Sequence, residues 1–277
     1  MSVLFGAYLG DVIGSTYEFR PVKRRDFDLF PPGSQFTDDS ILTAAVAEAL
    51  MSYYSEGGCL PELFTASLRR WAKRYPAPTG GYGRLFCRWL RKKDPEPYNS
   101  CGNGSAMRVS PCGRIACSLE EALALAEQSA LVTHNHPEGI LGAKAVAGAV
   151  YLAANGADKA EIAAFIRDGY YPLDRTLDEI RPGYTFRGTC QESVPQSIQA
   201  FLESKDFESA IRNAVSLGGD ADTMGAIAGS IAWAFYGRDG ITPDMQALRK
   251  AAEPRIAEDL LRCADDFESF CRSRKGA

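Results

Sequence analysis

Three stretches of this sequence, residues 41–51, 140–154 and 224–235, are apolar nearly all the way round a helix, and that constrains the fold more than any other feature. A helix without a polar face belongs among other helices. β-Signals are nearly absent. Periodicity or apolar length predicts helices over about 2–19, 38–54, 61–74, 83–92, 104–116, 119–133, 137–154, 158–167, 194–203, 207–216, 222–236 and 243–272. Short segments rich in Gly, Pro and Asn join them. The expectation is a compact all-α fold. Gly6, Gly10 and Gly14 recur every four residues, as do Gly225 and Gly229, laying smooth stripes along which another backbone can approach.

At 277 residues and 45% hydrophobic, the chain can bury a large core as one domain over 1–277. Thirty-five acids against 31 bases give a net charge of −4, which excludes an overall cationic field for nucleic acid or anionic lipid. Eight cysteines without a CxxC pair, and only two histidines, argue against zinc ribbons and thioredoxin-like motifs; reduced thiols in a cytoplasmic protein are expected. The apolar N-terminus has no positive region before Asp11, so it does not read as a secretory signal. The small-residue run at 139–154 is broken by Lys144 and is short for a bilayer. No membrane partner is expected, and the chain is expected to be a monomer.

Five motifs could carry chemistry. Phe36-Thr37-Asp38-Asp39-Ser40 directly precedes one apolar helix. Thr37 can cap it and the acids suit its dipole, so a capped helix start explains these residues taken alone. Leu217-Gly218-Gly219-Asp220-Ala221-Asp222-Thr223 precedes another apolar helix and again offers two carboxylates and a hydroxyl. Two such sets, each at the mouth of a buried helix, would repel strongly unless cations neutralised them. Oxygen-only donors suit hard ions such as magnesium, manganese or calcium, and four carboxylates suit two ions.

Asp11 and Glu18 lie seven positions apart, nearly on one face if the first helix runs through both. Asp11 could be a buried hydrogen-bond hub or a catalytic group. Glu18, at the helix end where the dipole disfavours it, calls for a compensating partner. Asn103-Gly104-Ser105-Ala106-Met107-Arg108 opens a helix with a glycine-containing turn that could offer N–H groups to a phosphate, though a simple capped helix would look the same. Thr133-His134-Asn135-His136-Pro137-Glu138-Gly139 holds both histidines; substrate contact is expected for His134 and no catalytic role for His136.

In order, GAYLGDVIGSTYEF, FTDDS, NGSAMR, THNHPEG and LGGDADTMGAIAGSIAWAFYG resemble the ADP-ribosylglycohydrolase family, which includes the dinitrogenase-reductase-activating glycohydrolases. The resemblance covers residues 6 to about 237. It implies an orthogonal helical bundle with a dinuclear centre of two Mg²⁺ or Mn²⁺ ions in a central cleft. By motif match the metal ligands would be Thr37, Asp38, Asp39, Asp220, Asp222 and Thr223, with Asp222 bridging. Asn103, Gly104, Ser105 and Met107 would lie along the diphosphate and distal ribose, and His134 would contact the ligand.

The implied reaction is hydrolysis of the N- or O-glycosidic bond at C1″ of ADP-ribose. Glu18 is the implied acid–base residue, Asp38 the fallback, and Asp222 the third member of the catalytic set. The partner would be an ADP-ribosylated protein, modified on arginine or serine, or a small ADP-ribosyl molecule, with ADP-ribose as product; nucleic acid enters only as an ADP-ribosylated substrate. An ADP-ribose-binding protein without turnover and a two-metal phosphoesterase are the alternatives. Residues 20–35 and 174–192 are the loops expected to face the substrate.

Overall fold

In the computed structural model, which describes residues 2–275, two central helices meet along glycine. Helix α1 (Val3–Gly14) is buried at all 12 positions, and α13 (Ala221–Tyr236) from Ala221 to Ala234. A Cβ added at Gly6 would lie 2.4 Å from the Gly229 carbonyl oxygen, at Gly10 1.9 Å from that of Gly225, and at Gly14 2.2 Å from that of Ala221. The partners descend as α1 ascends, so the two helices are antiparallel, and only residues without Cβ permit this approach. The two glycine stripes seen in the sequence therefore face each other.

The remaining helices are α2 (Asp38–Glu56), α3 (Leu60–Arg74), α4 (Arg84–Arg91), α5 (Gly104–Met107), α6 (Ser110–Ile115), α7 (Leu119–Leu131), α8 (Pro137–Ala154), α9 (Lys159–Gly169), α10 (Leu177–Ile180), α11 (Cys190–Leu202), α12 (Phe207–Val215), α14 (Pro243–Ala252) and α15 (Glu258–Lys275). Among the described residues there is no strand, only isolated bridges at Thr37–Thr79 and Gly102–Thr189. Among the described residues no disulfide joins any of the eight cysteines. No helix among the described residues is long and apolar enough to cross a membrane.

Several boundaries differ from the sequence expectation. The first helix stops at Gly14 and not near residue 19, where Ser15 closes it by donating its N–H to the Asp11 carbonyl (2.8 Å) and its hydroxyl to that of Val12 (2.9 Å). Glu18 thus sits on a turn beyond the helix. The run expected over 104–116 is two short helices, and that over 243–272 breaks at a 3-10 turn, Glu253–Arg255, because Pro254 lacks the N–H that continuation needs. Helix α11 begins at Cys190, four residues earlier than expected, and carries Pro195 in its interior.

Helix α8 is not apolar all round in effect. Its glycines and all its alanines but the terminal Ala154 are buried, while Ile140, Leu141, Tyr151 and Leu152 are only partly covered and Lys144 pairs with Glu127 at 3.0 Å. Small residues make the close contacts and the larger ones flank them. The segment 174–192 also holds more structure than a loop: α10 carries a capping box of Thr176 and Glu179. Leu177, Ile180 and Tyr184 there form a small second core with Ala214, Leu217 and Met224.

Candidate active site

The crossing of α1 and α13 places Asp11 beside Asp222, and the start of α2 comes in from the side. Asp11 is fully buried and acts as the hub between them. Its Oδ2 accepts from the N–H of Thr37 (2.9 Å), the N–H of Ser40 (3.1 Å) and the Ser40 hydroxyl, while its Oδ1 accepts from the Thr37 hydroxyl (2.8 Å). The orphan donors of the first turn of α2 are thus satisfied by a carboxylate of α1. Thr37 also caps that helix as its sequence suggests, accepting from the N–H of Asp39 at 3.3 Å.

Around this hub the carboxylates gather. Oxygens of Asp11, Asp39 and Asp222 lie within 4.8 Å of one another, and so do oxygens of Glu18, Asp220 and Asp222. Asp222 belongs to both groups. The Thr223 hydroxyl donates to Asp39 Oδ2 at 3.3 Å, tying α13 to α2. Gly218, at φ +66°, makes the turn that delivers Asp220 to the mouth of α13.

Burial drives the carboxyls of Asp38, Asp39 and Asp220 well above the usual carboxylate range, and the charge of Asp222 drives them further. Burial also raises Asp222, against hydrogen bonds from Asp220 and the Thr223 N–H that lower it. Asp11 is pushed up to about 7 and Glu18 to about 8, in both cases by desolvation first and Asp222 second. Such a cluster holds protons or cations. Asp39 Oδ1 is buried and accepts no hydrogen bond, an acceptor left for a ligand. The donor set is oxygen only, so the residues present fit hard divalent ions.

A cleft of about 460 Å³ opens above this cluster, within the range of small-ligand sites. Of the residues singled out from the sequence, Glu18, Asp38, Asp39, Asn103, Gly104, Met107, His134, Asp220, Asp222 and Thr223 line it. Thr37 and Ser105 do not. Thr37 lies beneath, bonded to Asp11, and the Ser105 hydroxyl faces the other way, donating to the Gly139 carbonyl at 2.7 Å.

Asn103 bridges the two halves of the site: its Nδ2 donates to Asp220 Oδ2 (2.8 Å) and to the Ser193 hydroxyl (3.2 Å). His134 is set by a relay from a buried cation. Arg108 Nη2 donates to the Thr133 hydroxyl (2.8 Å), whose oxygen lies 2.7 Å from His134 Nδ1. His134 Nε2 faces Gly102 and Gly104 at the cleft wall. Burial, aided by Arg108, holds the His134 pKa well below its usual value, so the ring is neutral at physiological pH.

Sequence reasoning missed part of the wall. Gly80, Gly81, Tyr82, Gly83, Arg84 and Leu85 line the cleft, and Phe186 and Gly188 come from the segment 174–192; no residue of 20–35 lines it. The signal available was the Gly-Gly-Tyr-Gly run between two amphipathic helices, which has no periodicity and could be placed only by the fold. Among the described residues, Phe19, Leu85 and Phe186 are the exposed large hydrophobic ones, at 69%, 45% and 54%.

A sequence model of the ADP-ribosylglycohydrolase family matches residues 1–275. The chain is 29% identical to the ADP-ribosylarginine hydrolase Tri1 of Pseudomonas putida (strain GB-1), over 87% of this chain and 71% of that protein. It is 28% identical to the ADP-ribosylhydrolase ARH3 of Homo sapiens, over 88% of this chain and 86% of that one. A solved structure titled "ADP-ribosylglycohydrolase-related protein complex" superposes with a TM-score of 0.67 at 26% identity, covering 92% of this chain and 96% of the other. With an all-α fold that matches this structure and an acidic cluster at the centre of its cleft, the chain belongs to the ADP-ribosylglycohydrolase family.

Proposed function

We propose that this chain is a metal-dependent hydrolase that cleaves the glycosidic bond at C1″ of ADP-ribose, freeing it from arginine or serine of a modified protein or from a related small molecule. The observation that carries this reading is the pair of carboxylate groups sharing Asp222 in the cleft, with Asp39 Oδ1 left unpartnered. In it, Thr37, Asp38, Asp39, Asp220, Asp222 and Thr223 hold two Mg²⁺ or Mn²⁺ ions. When bound, the ions supply Lewis-acid polarisation of the ribose.

The rest is done by the chain's own groups. Asn103 fixes Asp220 through its 2.8 Å bond, and Gly104 and Met107 line the part of the cleft that takes the diphosphate. His134 presents the Nε2 edge of a neutral ring to the same turn. Arg108, fully buried beneath it, keeps a positive charge under an anionic ligand. Water adds across the bond, its hydroxyl to C1″ and a proton to the leaving nitrogen or oxygen. Glu18, partly exposed at the cleft with its carboxyl raised to about 8, is placed to move that proton, and Asp38, partly exposed beside it, is the second candidate.

The test is a panel of ADP-ribosyl-arginine and ADP-ribosyl-serine peptides with Mg²⁺ or Mn²⁺, read by mass spectrometry. Intact ADP-ribose is the expected product. AMP or phosphate would instead indicate a phosphoesterase, and no release from any member of the panel would overturn the reading.

A further inference from the structure

The surface made by α3 and α4 does not share the acidic balance of the chain. Residues 60–96 hold nine Lys or Arg against three acids, Glu62, Asp94 and Glu96, in a chain of net −4. Both helices turn their aromatic residues inward, burying Phe64, Trp71, Phe86 and Trp89. That leaves the basic residues of each on the outside.

Between the helices runs a groove of about 710 Å³. Its floor includes Ala66, Pro76, Cys87 and Leu90 and its walls Lys73 and Arg91, with Arg69 and Arg70 alongside. Arg70 is neutralised by Glu48 at 2.8 Å, and Arg69 is spent on the Lys93 carbonyl at 3.0 Å. Lys73, Arg88, Arg91, Lys92 and Lys93 are exposed, and among the described residues none of them has a carboxylate partner. Arg88 and Arg91 follow one another on one face of α4 at helical spacing. Tyr82 lines both this groove and the catalytic cleft, anchored by its hydroxyl to the Tyr75 carbonyl at 2.8 Å. The groove and the cleft therefore lie on either side of one tethered ring.

Resting on the hydrolase reading above, we propose that the α3–α4 groove docks the polypeptide that carries the ADP-ribose, and that it selects an acidic segment with aliphatic side chains. Charge complementarity selects the acids, since unpaired cations on the walls attract carboxylates at long range. The floor selects the aliphatic residues, because Pro76 and Leu90 offer apolar area that a phosphate backbone cannot cover. A nucleic-acid strand is the poorer fit: the groove has no exposed aromatic ring on which bases could stack, Tyr82 being half-buried and tethered. The consequence is a preference among modified proteins that the catalytic residues themselves do not encode.

The experiment uses the full chain and a fluorescein-labelled, unmodified peptide of alternating Glu and Leu, read by anisotropy so that binding is measured without turnover. The comparison is the triple variant Lys73→Glu, Arg88→Glu, Arg91→Glu, none of which lines the cleft. The proposal expects the variant to bind the peptide about tenfold more weakly or worse. It also expects a Glu/Gly peptide of equal charge to bind the wild type less well. The variant should release ADP-ribose from a small ADP-ribosyl substrate at the wild-type rate, which separates docking from chemistry. Equal binding of the Glu/Leu peptide by both proteins, no binding by the wild type, or stronger binding of a single-stranded oligonucleotide that the variant loses would overturn it.

Discussion

Asn103 Nδ2 donates to Asp220 Oδ2 at 2.8 Å, joining the turn before α5 to the mouth of α13 across 117 residues of sequence. One side chain thereby aligns the wall that faces the ligand with a carboxylate of the acidic cluster. Groups that orient a ligating carboxylate carry roughly 10- to 100-fold in metal affinity or activity. Asn103→Ala is expected to lose that much in both Mn²⁺ affinity by calorimetry and release of ADP-ribose. Unchanged values in both would show that the bond orients nothing.

The metal-free protein should lose stability as pH rises. Asp11 is held at about 7 and Glu18 at about 8, each by burial and then by the charge of Asp222. A carboxyl whose folded pKa exceeds its unfolded value binds protons more tightly when folded, so unfolding becomes easier as pH climbs between the two. The window runs from about 4, the unfolded carboxylate value, to about 8. In EDTA the melting temperature should fall across it, and Mg²⁺ should raise it more at the upper end than at the lower. A pH-independent melting temperature in EDTA would contradict the electrostatics described for the cluster.

Gly10→Ala tests the central helix contact. Its Cβ would lie 1.9 Å from the Gly225 carbonyl oxygen, a backbone atom that cannot step aside without moving α13. The expected destabilisation is at least the ~1–3 kcal/mol typical of overpacking. Gly169→Ala is the control: nothing lies within 4 Å of its Cβ, and the change should stay within about 0.5 kcal/mol of wild type. Equal melting curves for the two variants would disprove the close approach.

Lys23 ties three segments together, its Nζ donating to the carbonyls of Arg181 (3.0 Å), Leu217 (2.5 Å) and Tyr184. Leu217 immediately precedes the glycine pair that leads to Asp220. Lys23→Met removes those donors and should accelerate amide exchange in residues 177–188 and 217–220 while α8 and α15 keep their protection. Uniform acceleration, or none, would show that the amine does not hold these segments.

Features set by short-range chemistry were readable in the chain before the structure. The glycine spacing of α1 and α13 marked a face on each where another backbone can approach, Thr37 marked the start of α2, and the two Asp/Asp/Thr sets marked the helix mouths that converge on the cleft. What escaped depends on groups far apart in sequence. The end of α1 at Gly14 moved Glu18 off the helix face assumed for it, yet the turn still brings its carboxylate to Asp220 and Asp222. Asp11 could be read as hub or catalyst until its four donors from Thr37 and Ser40 were seen. The wall at Gly80–Leu85 has no periodic signal, and residues 20–35, which looked equally loop-like, pack elsewhere, with Arg212 donating to the Phe27 carbonyl at 2.7 Å.

Asp222, shared by both carboxylate groups, is proposed to organise a two-ion centre that frees ADP-ribose. The most direct measurement is Mn²⁺ stoichiometry by equilibrium dialysis on wild type and Asp222→Asn, with release of ADP-ribose from a modified peptide followed on the same samples. Two ions per chain and full release are expected for the wild type, and loss of both for Asp222→Asn. Release by the wild type that persists undiminished in a chelator, or an Asp222→Asn variant that keeps two ions and full turnover, would contradict it.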